Sequence, residues 1–113
     1  MAKPVPLPTT FKIGAAVIPI TLGWQSVSEM GGSAILGALQ YQKQVFTLHP
    51  EQPVQTMRET ILHEILHALF SFTEVGDLLG EGKDEESFVA RATPVLLMIM
   101  RDNPGIMRYL LDA

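Results

Sequence analysis

The chain contains no cysteine. That excludes disulfide frameworks, cysteine-ligated zinc fingers, thiol nucleophiles and iron–sulfur clusters, and any zinc site must be built from His, Asp or Glu. Charge is sparse as well: 18% of residues are charged, with 12 acids against 8 bases and a formal net charge of −4. An acidic balance without a basic block argues against a broad nucleic-acid-binding surface. Long hydrophobic runs are missing. The longest, such as Val95–Met100, fall far short of the roughly 20 residues that cross a bilayer as a helix. The opening stretch MAKPVPLPTT has alternating prolines rather than the apolar core of a secretory signal. The expectation is a cytoplasmic protein with no membrane partner.

What is present is a chain of 113 residues, 47% of them hydrophobic, enough for one domain with a small core. Residues 1–10 read as a Pro-rich extended segment ahead of it. Phe11–Leu22 is rich in β-branched residues but contains Pro19, which predicts an edge strand or a bulged one. Gly23–Ser33, with three glycines, reads as loop. Ala34–Gln42 and Lys43–His49 read as paired strands turning at Tyr41–Gln44. Pro53 predicts the start of a helix over Val54–Phe72, ending before Gly76. Leu78–Lys83 is a glycine-broken connection. Asp84 then caps a second helix, with Glu85 and Glu86 in its first turn, running to about Asp102. Pro94 should kink or split that helix. Asn103-Pro104-Gly105 ends it, and Ile106–Leu111 forms a short terminal helix.

His63-Glu64-Ile65-Leu66-His67 carries the chemistry. Residues four apart share one helix face, so both imidazoles can reach one ion at the roughly 2.0–2.1 Å of a Zn–nitrogen bond. Glu64 lies about 100° around the helix from His63, placed to stand beside the ion without ligating it. A divalent ion there lowers the pKa of water toward ~7, and the carboxylate can take the proton as the water attacks a carbonyl carbon. The string uses two of only three histidines. Around the helix, apolar residues from Ile61 to Phe72 cover most of the circumference. Thr60, His63, Glu64, His67 and Ser71 form a narrow polar sector without Lys, Arg or Gln. A helix so apolar should be buried, with the polar stripe lining a cleft.

Two histidines need a third protein ligand for a catalytic zinc. The available groups are His49, Asp77, Glu81, Asp84, Glu85 and Glu86. His49, before Pro50, reads as a surface residue, and Asp77 and Glu81 read as solvated loop acids. The Glu85-Glu86 pair opens the helix that packs antiparallel to the first. Its apolar stripe, Phe88, Val89, Ala92, Leu96 and Ile99, is centred near Glu85, so the helical projection prefers Glu85 over Glu86. Either glutamate also complements the helix dipole simply by standing in the first turn.

From about Ala34 to Leu111 the chain resembles the small phage and prophage members of the ImmA/IrrE-like zinc metallopeptidases, related to the minimal gluzincins. The resemblance rests on ETILHEILHAL (Glu59–Leu69), on Glu86 followed by a helix, and on MRDNP (Met100–Pro104). In gluzincins a downstream glutamate on a separate helix is the third zinc ligand. Here eighteen residues separate His67 from Glu86, a spacing several gluzincins share. Glu86, Val89 and Leu96-Leu97-Met98 fall at the offsets of the family's glutamate helix, although Val89 replaces the usual alanine and Pro94 is a further departure. The resemblance therefore implies Glu86 rather than Glu85. It also implies an α+β, minimal zincin-like fold: a small twisted, antiparallel-type sheet packed on the active-site helix, with the glutamate helix behind. It transfers no oxyanion-stabilising residue; Tyr41, Tyr109, Arg101 and Arg108 each read as structural or solvent-facing.

The expected function is a zinc-dependent peptidase with His63, His67 and Glu86 as ligands and Glu64 as general base. A cleft this short is expected to need a specific protein or peptide partner, or a homo-oligomer, to complete its binding surface. A different class of function is a non-catalytic, zinc-stabilised phage regulatory or binding domain. A third is a metal-free helical interaction module.

Overall fold

A computed structural model describes residues 5–23, 36–74 and 84–112. The expected loop over residues 24–33, the first two residues of the expected strand at 34–35 and the connection at 78–83 lie outside the described residues. Four strands and three helices are described: β1 (Thr10–Ile13), β2 (Ala16–Leu22), β3 (Gly37–Gln40), β4 (Val45–Leu48), α1 (Val54–Thr73), α2 (Glu85–Asp102) and α3 (Pro104–Leu111). They form an α+β fold in which one sheet, ordered β1-β2-β4-β3, packs its apolar face against the helices.

Phe11–Leu22 is a hairpin rather than one strand. Gly14 has φ +58° and is the first of two turn residues between the paired Ile13 and Ala16. Positive φ there and not at Ala15 is the signature of a type II′ turn, which glycine adopts without strain. A side chain at Gly14 would also stand 2.7 Å from the Phe72 ring. Pro19 does not force its strand to an edge. Phe11 pairs with Ile18, and the Ile20 N–H donates to the Thr9 carbonyl at 2.9 Å, so Pro19 opposite Thr10 falls at a non-hydrogen-bonded position of the β1–β2 ladder. Pairing of β2 with β4 begins only at Ile20 opposite Phe46. The missing N–H is therefore needed on neither side.

The sheet is mixed, which corrects the antiparallel-type expectation. β1–β2 and β3–β4 are antiparallel, but β2 and β4 run parallel. β3 and β4 join through Tyr41–Gln44, where Gln44 takes left-handed φ 54° and donates its N–H to the Tyr41 carbonyl at 3.1 Å. Phe11, Ile13, Ile18, Ile20, Phe46 and Leu48 alternate inward and are buried with Ile61, Ile65, Ile99 and Ile106 from the helices. Val5 and Leu7 of the Pro-rich segment pack against this core from the side of Asn103–Ile106.

α1 begins after Pro53 and closes at Glu74, whose left-handed backbone donates its N–H to the Phe70 carbonyl. Asp84 caps α2, accepting the Glu86 N–H and the Ser87 hydroxyl at 3.0 and 2.7 Å. These two bonds hold the Asp84 carboxyl below its ordinary value, the Ser87 hydroxyl most strongly. Pro94 does not split α2. It is exposed, so the Ala90 carbonyl left without a donor faces water, and the Thr93 hydroxyl binds the Val89 carbonyl at 2.7 Å.

Asn103, between α2 and α3, ties the helices to the outer strand. Its Oδ1 accepts the Lys12 N–H at 2.7 Å, and its Nδ2 lies 2.8 Å from both the Lys12 and Ile99 carbonyls. The side-chain amide thus does for β1 what another strand would do, and it is only 4% exposed. Asn103→Ala leaves these groups without partners and should cost roughly 2–3 kcal/mol. Urea denaturation should show a lowered midpoint at unchanged slope; a midpoint within error of the parent contradicts the assignment.

Candidate metal centre

α1 sorts its residues by angle. Taking Glu64 as the inward direction, at about 100° per residue, Met57, Ile61, Ile65, Ala68 and Leu69 fall on one flank, and all five are buried. Thr56, Glu59, Thr60, His63 and His67 fall on the other flank. Leu62 and Leu66 point away from Glu64 and are 45% and 40% exposed. The helix is therefore not buried around its circumference, as its composition suggested. Projection counts apolar residues, whereas burial depends on which faces meet a partner.

His63 and His67 are exposed at the rim, and their Nε2 atoms converge to 3.2 Å with ring centroids 4.8 Å apart. Two nitrogens bound tetrahedrally to one ion at zinc–nitrogen length stand about 3.3 Å apart. The pair thus has the bite of a chelate. With no ion between them, one Nε2 must carry a proton toward the other's lone pair; a shared cation takes both lone pairs.

Glu64 is 9% exposed. Burial pushes its carboxyl above the ordinary 4.5, against the opposing pull of His67, His63 and a hydrogen bond from the Leu39 N–H. That last bond links the helix to β3. Leu36 accepts the His49 N–H at 2.9 Å, so alternation turns the backbone groups of Gly37 and Leu39 away from β4, toward α1. Gly37 permits the approach: a Cβ there would lie 2.6 Å from Thr60 Cγ2 and 3.1 Å from Leu48 Cδ2. Between β3 and α1 lies a groove of about 450 Å³ onto which His63, Glu64, Glu59 and Gly37 all open.

The third ligand is where sequence and geometry part. Among the described residues no third His, Asp or Glu joins the histidine pair in a cluster. Glu85 and Glu86 are both exposed in the first turn of α2. That turn packs near the end of α1 through Phe70 and Phe88, whose rings are 5.5 Å apart, one helical turn beyond His67. Of the stripe expected by projection, Phe88, Ala92 and Ile99 do pack, joined by Val95, whereas Val89 and Leu96 are 44% and 39% exposed. Asp84 is committed to its cap. His49 accepts the Glu51 N–H on Nδ1 at 3.1 Å. Asp77 and Glu81 lie outside the described residues. Of the side chains considered for an oxyanion, Tyr109 is buried under the Arg58 guanidinium, Tyr41 packs edge-on to Phe72, and Arg101 and Arg108 are exposed.

Sequence reasoning missed Gln52. Its Nε2 reaches the carbonyls of Leu36 and His49 at 2.7 and 2.8 Å, and its Oε1 accepts the Thr60 hydroxyl at 2.8 Å. It fixes the start of β3 against α1 at the groove's edge. A lone glutamine between two prolines carries no periodic signal by which to find it.

No protein-family profile, curated protein or solved structure matches the chain.

The position of Glu64 has a measurable consequence. Its folded value lies above the unfolded one, so between the two the folded state binds more protons and stability falls as pH rises. Glu64→Gln removes that loss. In chelator-treated protein the variant should be more stable than the parent at pH 7, with the gain fading below about pH 4.5. Urea melts at both pH values check this, and an equal difference at the two would contradict it.

Proposed function

We propose that the chain is a zinc-dependent peptidase of the minimal gluzincin, ImmA/IrrE-like kind, hydrolysing a peptide bond with water. The observation that carries the reading is the 3.2 Å convergence of the His63 and His67 Nε2 atoms, with His63 lining the same groove as Glu64. Of the donors present, two imidazoles suit zinc. When bound, zinc supplies Lewis acidity, making water a better nucleophile and polarising the substrate carbonyl. Glu86 is the third ligand in this proposal on the strength of the resemblance, supported by the packing of its helical turn beside the end of α1.

The remaining work belongs to the chain's own groups. Glu64 accepts a proton from the attacking water as the carbon–oxygen bond forms, then delivers it to the departing nitrogen as the carbon–nitrogen bond breaks. Burial favours this exchange by raising the carboxylate's affinity for the proton.

A non-catalytic, zinc-stabilised regulatory or binding domain is the rival reading. The exposure of Glu86 and the absence of a three-residue cluster among the described residues favour it. Glu64→Gln separates the two. The peptidase reading expects the variant to keep about one zinc per chain and to lose at least ~100-fold in cleavage, measured by metal analysis and by mass spectrometry of a peptide mixture. His67→Ala should instead weaken zinc binding by more than about 100-fold, seen in a chelator competition. Parent protein holding zinc with no cleavage above the Glu64→Gln background would leave the rival standing.

A further inference from the structure

We propose that Glu59 makes the groove selective for peptides carrying Lys or Arg close to the scissile bond, an inference that rests on the peptidase reading above. The polar groups around Glu59 are already engaged. The Thr60 hydroxyl lies 2.8 Å from Gln52 Oε1 and 2.9 Å from the Thr56 carbonyl, and Glu64 takes the Leu39 N–H. Arg58, the adjacent cation, shares a second, more apolar groove with Glu59 but is engaged there by other groups: it donates to the Tyr109 carbonyl at 3.0 Å and pairs with Asp112 at 3.6 Å. Glu59 is different. It is exposed in the same groove as His63 and Glu64, and among the described residues its carboxylate makes no hydrogen bond or ion pair. No Lys or Arg lines that groove.

An unpaired carboxylate fixed on a helix selects for a cation of matching reach. Glu59 precedes His63 by one turn, so their Cβ atoms stand roughly 5–6 Å apart. Extended chain advances about 3.3 Å per residue, which puts the favoured basic side chain within about two residues of the bond to be cut. A partly solvated pair of this kind supports a modest preference, about 2- to 5-fold.

The test uses zinc-loaded full chain and a mixed library of unstructured peptides, with cleavage sites read by mass spectrometry. The parent should show about 2- to 5-fold enrichment of Lys and Arg within two residues of the cut. Glu59→Gln should abolish that enrichment, and Glu59→Lys should shift it toward Asp and Glu. Zinc content is measured on each variant, and peptide affinity is measured separately on the Glu64→Gln background by fluorescence anisotropy, comparing a Lys peptide with its Gln counterpart. Cleavage without a basic preference, or a preference unmoved by Glu59→Lys, overturns the proposal while leaving the peptidase reading intact. Loss of zinc from Glu59→Gln overturns it by making Glu59 a ligand. No cleavage of any peptide by zinc-loaded parent removes the peptidase reading and this proposal with it.

Discussion

The close seating of α1 on the outer strand β3 sets everything else about the site. At Gly37 there is no room for a side chain between strand and helix, and at Leu39 the strand's own N–H reaches the Glu64 carboxylate. Gln52 clamps the same junction from the start of β3. Once Glu64 points inward, helical geometry leaves no freedom for its neighbours: residues one before and three after must fall on the same flank, roughly 60–100° away. His63 and His67 are therefore delivered to the rim as a pair, and Glu59 and Thr60 follow one turn earlier. The chelating bite is a property of the helix; its location at a sheet edge is a property of the seat.

Legibility in the sequence followed the range of the interactions involved. Helix limits were readable because Pro53, Asp84 and Asn103-Pro104 act locally, and the β3–β4 turn because Tyr41–Gln44 separates two alternating runs. The histidine pair was readable because four-residue spacing is intrinsic to a helix. The parallel pairing of β2 with β4 was not, since it joins segments more than twenty residues apart in sequence and follows from no local rule. Pro19 misled for a related reason. A proline's cost depends on whether its N–H is needed, and that is settled by register with two partner strands. Glu85 and Glu86 show the limit most sharply. Projection prefers Glu85 and the resemblance Glu86, yet both stand exposed, because where a helix N-terminus lies depends on tertiary packing rather than on its own stripe.

Among the described residues, the polar side chains of Asn103, Gln52 and Glu64 each bridge elements, and they divide into two kinds. Asn103 and Gln52 are neutral amides whose donors and acceptors all meet main-chain or hydroxyl partners, so they add order at little electrostatic cost. Glu64 is an acid placed where its charged form is disfavoured, held by one strand N–H and two imidazoles. A fold selected only for stability would put a neutral residue there, as it does at the other two junctions. The amide at Asn103 shores up β1 at the opposite end of the sheet order from β3. Neutral amides thus brace both edges of the sheet, while Glu64, whose charged form burial disfavours, stands beside the two converging imidazole nitrogens.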